Sequence, residues 1–128
     1  MDCIFCKIIN GVIPSYTIYE NDYVKAFLDV SPASNGHTLI VPKKHFENIY
    51  DIHLEYLIEI EKASKEVSKI LKEKLSCQGI TRLQNNEYGQ EVKHYHMHII
   101  PRYENDNLEI KNDKNQKDDP KSIYDKIV

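Results

Sequence analysis

Gly89-Gln90-Glu91-Val92-Lys93-His94-Tyr95-His96-Met97-His98-Ile99-Ile100-Pro101-Arg102 is the stretch that decides how the rest of the chain is read. At its centre His94, His96 and His98 alternate with Tyr95, Met97 and Ile99, and the apolar Ile100 follows. A period of two marks a β-strand whose two faces meet different surroundings. Three imidazoles then share one side at roughly 6.6 Å intervals, with Tyr95, Met97 and Ile99 packed on the other. A solvated strand face would normally use Thr, Lys or Glu, whereas here half of the six histidines fall in one short run. Histidine can act as base, nucleophile or ligand near neutral pH, so the run points to chemistry.

The other elements follow outward from this strand. Ile4, Phe5, Ile8 and Ile9 keep helical spacing and Asn10-Gly11 stops them, which predicts a short N-terminal helix. Residues 16–20 and 23–29 read as strands joined by a turn, and residues 37–41, dense in Leu, Ile and Val, as a third strand ending at Pro42. From Asp51, a plausible N-cap, to Leu75 the apolar positions Leu57, Ile60, Val67 and Leu71 predict one long amphipathic helix, with a Glu61–Lys65 pair on its wet face and Gly79 releasing the chain. Residues 80–83 and 92–101 complete an antiparallel sheet of five strands, so the fold class is α+β. Beyond Tyr103 the chain is Asn, Asp, Lys and Glu with little to bury. Residues 1–103 therefore read as the domain and 104–128 as a polar tail, partly disordered or docked by a last turn at Ile123, Tyr124 and Ile127.

Composition sets bounds. The chain has 128 residues, 41% hydrophobic and 29% charged, enough for one domain with a real core. With 17 basic and 20 acidic residues its net charge is -3, which argues against a nucleic-acid polymer as partner but not against a single nucleotide. No apolar run is long enough for a bilayer and no signal-peptide core follows Met1, so the expected location is the cytoplasm, with no membrane partner. Three cysteines, an odd number, suit a reducing compartment.

Two clusters carry chemistry. The first is Cys3-x-x-Cys6, which alone could be half of a zinc knuckle, a redox dithiol or chance. A structural zinc would need two further N or S ligands, for which His45 and a triad histidine are candidates. The second is the triad itself. It could hold a catalytic zinc, but the outer two histidines of a strand lie roughly 13 Å apart, too far for one ion. The alternative is nucleophilic catalysis, with the central imidazole attacking and its neighbours positioning an extended anionic substrate.

His94-Tyr95-His96-Met97-His98-Ile99-Ile100 resembles the motif of the histidine-triad (HIT) superfamily of nucleotide hydrolases and transferases, His-φ-His-φ-His-φ-φ with φ apolar, at every position. Cys3 to Ile9, Ala26 to Asp29, Gly36 to His45 and Gln90-x-Val92 are similar to its nucleotide-binding, Hint-like branch, in the family's order. The resemblance implies that His96 is the nucleophile toward the α-phosphorus of a nucleoside monophosphate derivative, such as a phosphoramidate or an adenylate. A nucleotidyl-histidine would form and then be hydrolysed. It further implies that His98, Gln90 and the backbone N–H of Val92 donate to the phosphate or leaving group, that Asp29 accepts from the ribose hydroxyls, and that Asn86 or Asn85 reaches the sugar-phosphate. Phe5, Ile8, Phe27, Leu28 and Val30 would line the pocket of a purine base, each of them equally readable as plain core. A structural zinc would sit on Cys3, Cys6, His45 and His94, with no catalytic metal, and the protein would be a homodimer through the long helix and fourth strand. His37 and His53 receive no role.

This chain departs from the pattern at Glu91, where a carboxylate beside phosphate would repel it, at Lys93, which is similar to the dinucleoside polyphosphate hydrolase branch, and in the short segment from Asn86 to Gln90. Two other functions stay open at this level: cleavage of dinucleoside polyphosphates, and a nucleotide-binding regulatory dimer with little turnover.

Overall fold

Apolar residues on both faces of the central strands dictate a sheet covered twice. The computed structural model describes residues 2–128. Its elements in chain order are α1 (Ile4–Ile9), β1 (Thr17–Glu20), β2 (Val24–Leu28), β3 (Thr38–Pro42), α2 (Leu54–Leu75), β4 (Gly79–Leu83), β5 (Met97–Arg102) and α3 (Pro120–Ile127). The five strands form one antiparallel sheet, as expected, and their order is β1-β2-β3-β5-β4. β3, buried at every position, sits at its centre.

Alternation along the strands sorts the core into two layers. Val24, Ala26, Ile40, Tyr95 and Ile99 face α2 and meet Ile60, Ala63, Val67 and Leu71. Phe27, Leu39 and Val41 face the opposite way, against Cys3, Phe5 and Ile8 of the N-terminal segment. The triad run obeys the same rule, with Tyr95, Met97 and Ile99 in the α2 layer. His94 and His96 are left to the α1 side, where the Phe5 ring meets both edge-on.

Four local expectations are corrected. The fifth strand ladders only from Met97, not Val92, because the Tyr95 N–H donates to the Phe46 carbonyl (2.7 Å) instead of to a neighbouring strand. Helix α2 starts at Leu54 with His53 as its cap. Asp51 spends its carboxylate on the N–H groups of Glu47 and Asn48, closing the preceding turn. The helix ends on Ser76 in the left-handed region (φ 55°), and Gly79 is already the first residue of β4. Glu61 pairs with Arg82 of β4 (2.8 Å) rather than with Lys65, fastening α2 to the sheet edge.

The segment after β5 is pinned where it leaves the sheet. Arg102 grips the Asp106 carboxylate (2.8 Å), which lies well below the usual carboxylate range for that reason, and the Tyr103 hydroxyl donates to the Asn35 carbonyl (2.7 Å). α3 forms, capped by Asp119, but none of its residues is buried, so Ile123, Tyr124 and Ile127 do not dock on this chain. No helix among the described residues is long and apolar enough to cross a membrane.

Candidate functional site

The register of β5 against β3 sets His98 opposite Leu39, and Thr38 opposite Ile99, at the end of the sheet where the loop 29–37 folds over. A cleft of about 470 Å³ opens there. It is of the size that holds a small ligand. His96 and His98 form its polar end with Asp29, and Phe5, Ile8, Phe27, Leu28 and Val92 give it apolar walls. Val30 stands on the rim, 85% exposed.

Hydrogen-bond partners fix the proton on each imidazole, since a carbonyl can only accept and a backbone N–H can only donate. His96 is 5% exposed, and its Nδ1 lies 2.7 Å from the His94 carbonyl, so Nδ1 carries the hydrogen and Nε2 keeps a free lone pair. Behind His98 runs a relay. The Ala33 N–H donates to His37 Nδ1 (2.9 Å), which leaves the His37 proton on Nε2. That proton is donated to His98 Nδ1 (2.9 Å), so a neutral His98 carries its own hydrogen on Nε2. One lone pair and one N–H donor thus sit side by side, on rings whose centroids are 5.0 Å apart.

Burial keeps these rings neutral. It lowers the pKa of His96 and of His37, and pushes His98 down to about 4, with the neighbouring His96 and His37 adding to the shift. Asp29 holds its turn by accepting from the Ser31 N–H (2.8 Å) and lies 3.7 Å from His37 Nε2. Asp29, His37 and His98 are close enough together to suggest a metal site. The relay argues otherwise, because an ion on His37 Nε2 would require the Ala33 hydrogen bond to break or the ring to become an imidazolate.

The second cluster is reached two residues earlier in the same run, at His94. Cys3 Sγ and Cys6 Sγ are 3.4 and 3.6 Å from His94 Nδ1, Cys6 Sγ is 3.4 Å from His45 Nδ1, and the two Nδ1 atoms are 3.1 Å apart. Donors at Zn–N and Zn–S bond lengths around a tetrahedral ion would be separated by roughly 3.3–3.8 Å. His94 Nε2 donates to the Pro42 carbonyl (2.9 Å), which frees Nδ1 to face the cysteines and orients the ring from behind. Donor chemistry, spacing and outer partner all fit a structural divalent ion of the zinc type.

Other expected residues lie elsewhere. Gln90 is buried, donating through Nε2 to the carbonyls of Glu47 and Val92 and accepting the Glu87 N–H. Asn86 accepts the Ile49 N–H (2.8 Å) and exchanges hydrogen bonds with Gln84. Both brace the loop that delivers the triad and neither lines the cleft. His37 is the participant that spacing did not mark, since its partner His98 lies 61 positions along the chain. Ile13 and Leu39 are further cleft walls without a sequence signal.

Comparison with known proteins bears on this arrangement. The HIT domain family model matches residues 10–105. The chain belongs to the HIT family. This HIT protein is 49% identical over 111 residues to an uncharacterized HIT-like protein of Methanocaldococcus jannaschii, covering 85% of each chain. It is 40% identical over 100 residues to an adenosine 5'-monophosphoramidase of Saccharomyces cerevisiae, covering 78% of this chain and 62% of that one. Its fold superposes on a crystal structure of a HIT family member from Bacillus subtilis with a TM-score of 0.84 and 39% identity, covering 99% of this chain and 95% of the other. A Zn-bound histidine triad protein from Mycobacterium smegmatis gives a TM-score of 0.81 at 31% identity, covering 89% and 84%.

Proposed function

We propose that this HIT protein is a nucleotide hydrolase or transferase acting on the α-phosphorus of nucleoside monophosphate derivatives. Phosphoramidates and adenylates of a purine nucleoside are the substrates that the cleft and the yeast relative's name favour. The observation that carries the reading is the His96 ring, whose Nδ1 hydrogen is committed to the His94 carbonyl while Nε2 remains free beside the cleft. Nε2 attacks phosphorus, the bond to the leaving group breaks, and the departing nitrogen or oxygen accepts a hydrogen bond from His98 Nε2–H while taking its proton from solvent water. Water then attacks the same phosphorus, the P–N bond to His96 breaks, and the nucleoside monophosphate leaves. A loose phosphoryl transition state asks chiefly for donors already in position, which the relay through His37 supplies.

Asp29 takes the ribose hydroxyls, and Phe5, Ile8, Phe27, Leu28 and Val30 surround the base. In this geometry Gln90 and Asn86 act by holding the loop, and a direct contact to phosphate requires their present hydrogen bonds to be exchanged. Cys3, Cys6, His45 and His94 would hold a structural zinc, which would supply a fixed cross-link between the N-terminus and the catalytic strand and take no part in the transfer. The Zn-bound relative supports that choice of ion. A homodimer working in the cytoplasm completes the reading.

The test is rapid mixing of the protein with adenosine 5'-phosphoramidate, quenching in alkaline denaturant, and mass spectrometry of the peptides. One adenylyl group on His96 is expected, with turnover lost in His96→Asn and nucleotide binding retained. Undiminished turnover in that variant, or an adduct on another residue, overturns the mechanism.

A further inference from the structure

We propose that Cys3 and Cys6 form a peroxide-responsive thiol pair whose oxidation state governs the position of the His96 ring. The inference rests on the reading of His96 as nucleophile, and it concerns how that nucleophile is held.

Two routes join the cysteines to His96. The first is the backbone. His94 presents its ring to Cys3 and Cys6, and the carbonyl of the same residue receives the His96 Nδ1 hydrogen at 2.7 Å. Whatever fixes the His94 ring therefore also fixes the acceptor that selects the His96 tautomer. The second is Phe5. It lies between the two cysteines in sequence and is buried, with its ring edge-on to His94 (centroids 5.9 Å), to His96 (5.0 Å) and to Phe27 (5.7 Å). A shift of the Cys3–Cys6 turn moves Phe5 directly against the catalytic ring.

The pair is also built to react. Cys3 caps α1 and accepts the Cys6 N–H (3.4 Å), Cys6 sits in the first turn, and their sulfurs lie within 4.8 Å of each other. An open cleft of about 640 Å³, walled in part by Cys3 and His45, gives small molecules a way in. Cys77, by contrast, is buried at the junction of α2 and β4. The oxidant is hydrogen peroxide. Two thiolates give up two electrons, a bond forms between Cys3 Sγ and Cys6 Sγ, and the peroxide O–O bond breaks to give two waters with two added protons. An ion held by Cys3, Cys6, His45 and His94 would keep only the two histidine donors and would be released. The sulfurs then close from the spacing of a metal-site edge to a disulfide bond of about 2.05 Å. That closure tightens the turn carrying Phe5 and takes the cysteine partners from His94 Nδ1, leaving the ring held through Nε2 by the Pro42 carbonyl.

The experiment treats the full-length zinc-loaded protein with hydrogen peroxide. It follows zinc release with a chromophoric chelator, the disulfide by peptide mass, hydrolysis of adenosine 5'-phosphoramidate, and the ¹⁵N resonances of the His96 ring. We expect one zinc released per Cys3–Cys6 disulfide, a fall in turnover of about tenfold or more, and a His96 ring that leaves its single Nδ1–H tautomer. Thiol reductant with added zinc restores all three, and Cys77→Ser responds like the parent. Phe5→Leu, which keeps all four ligands, retains zinc but shifts the His96 resonances, and it serves if Cys3→Ser with Cys6→Ser fails to fold. Disulfide formation and zinc release with unmoved His96 resonances overturn the proposal, as does peroxide treatment that leaves the pair reduced. If the untreated protein shows no turnover, the proposed function falls, while the His96 resonances still decide this inference.

Discussion

The hydrogen on His98 Nε2, a donor in the proposed reaction, is placed by residues that do not line the cleft. Ala33 donates to His37, and His37 donates to His98, so each ring in the chain has only one tautomer left. Replacing His37 by Leu removes that assignment without altering the cleft. The expected result is a fall in kcat of about tenfold to a hundredfold with KM little changed, measured on adenosine 5'-phosphoramidate. His37→Gln should recover part of the loss, since an amide can accept from Ala33 through Oε1 and donate to His98 through Nε2. Acid tests the same rings. A histidine in the unfolded chain titrates near 6.5, whereas folded His98 is pushed down to about 4 by burial and by its histidine neighbours. Between those values the unfolded chain binds a proton that the folded one refuses, so stability falls as pH drops through that window and levels off below it. Burial lowers the pKa of His96 in the same direction. The acid limb of kcat/KM is therefore expected below the ordinary histidine value. A limb at or above 6.5 would show that the rings are not buried as described.

At the scale of elements, Gly36 is the tightest joint. Its φ of +91° is open to glycine, and a Cβ there would come within 2.5 Å of Leu75 and 3.2 Å of Leu71 and Pro101. The Leu75 side chain can swing away at the helix end, so the cost of Gly36→Ala lies mainly in the backbone, roughly 1–3 kcal/mol. A lowered urea midpoint with an unchanged slope is the expected outcome. Sequence legibility is clearest at this scale. Alternation gave the two faces of the triad run correctly, because Tyr95 and Ile99 are buried under α2 whether or not a ladder is formed. Hydrogen bonding to Phe46 decided where the ladder begins, and no local pattern records a partner 49 residues away. Asp51 is a good cap by type, yet two N–H groups of the preceding turn compete for the same carboxylate and win. Cys3-x-x-Cys6, with His45 and a triad histidine as candidate partners, was legible in the residues, but the choice of His94 came only through the family resemblance, since Cys3 and His94 are 91 positions apart. His37 was missed for a similar reason, its role existing only once β3 and β5 are in register.

For the whole molecule, the strand order leaves β4 on an open edge, and an unpaired edge invites either pairing or protection. Beside that edge, joined to it through Glu61 and Arg82, α2 presents Leu54 at 76% and Ile58 at 57% exposure. These two do not belong to the stripe that meets the sheet, where Ile60, Ala63, Val67 and Leu71 do the packing. An apolar helix face continuous with an open strand edge is self-complementary about a two-fold axis, which suits a second copy of the chain. The polar tail leaves the sheet next to the same strand, pinned by Arg102, whose guanidinium also bonds the Thr81 hydroxyl of β4 (3.1 Å). The protein should therefore elute from light-scattering chromatography at about twice its 15.0 kDa chain mass. Ile58→Glu puts a charge in the middle of that face without touching the core, the cleft or the cysteine cluster. It should halve the measured mass while leaving the single-chain fold intact by circular dichroism. If the variant keeps the parent mass, α2 is not the contact and the second copy must be sought elsewhere; if the parent is itself a monomer, Leu54 and Ile58 are simply exposed.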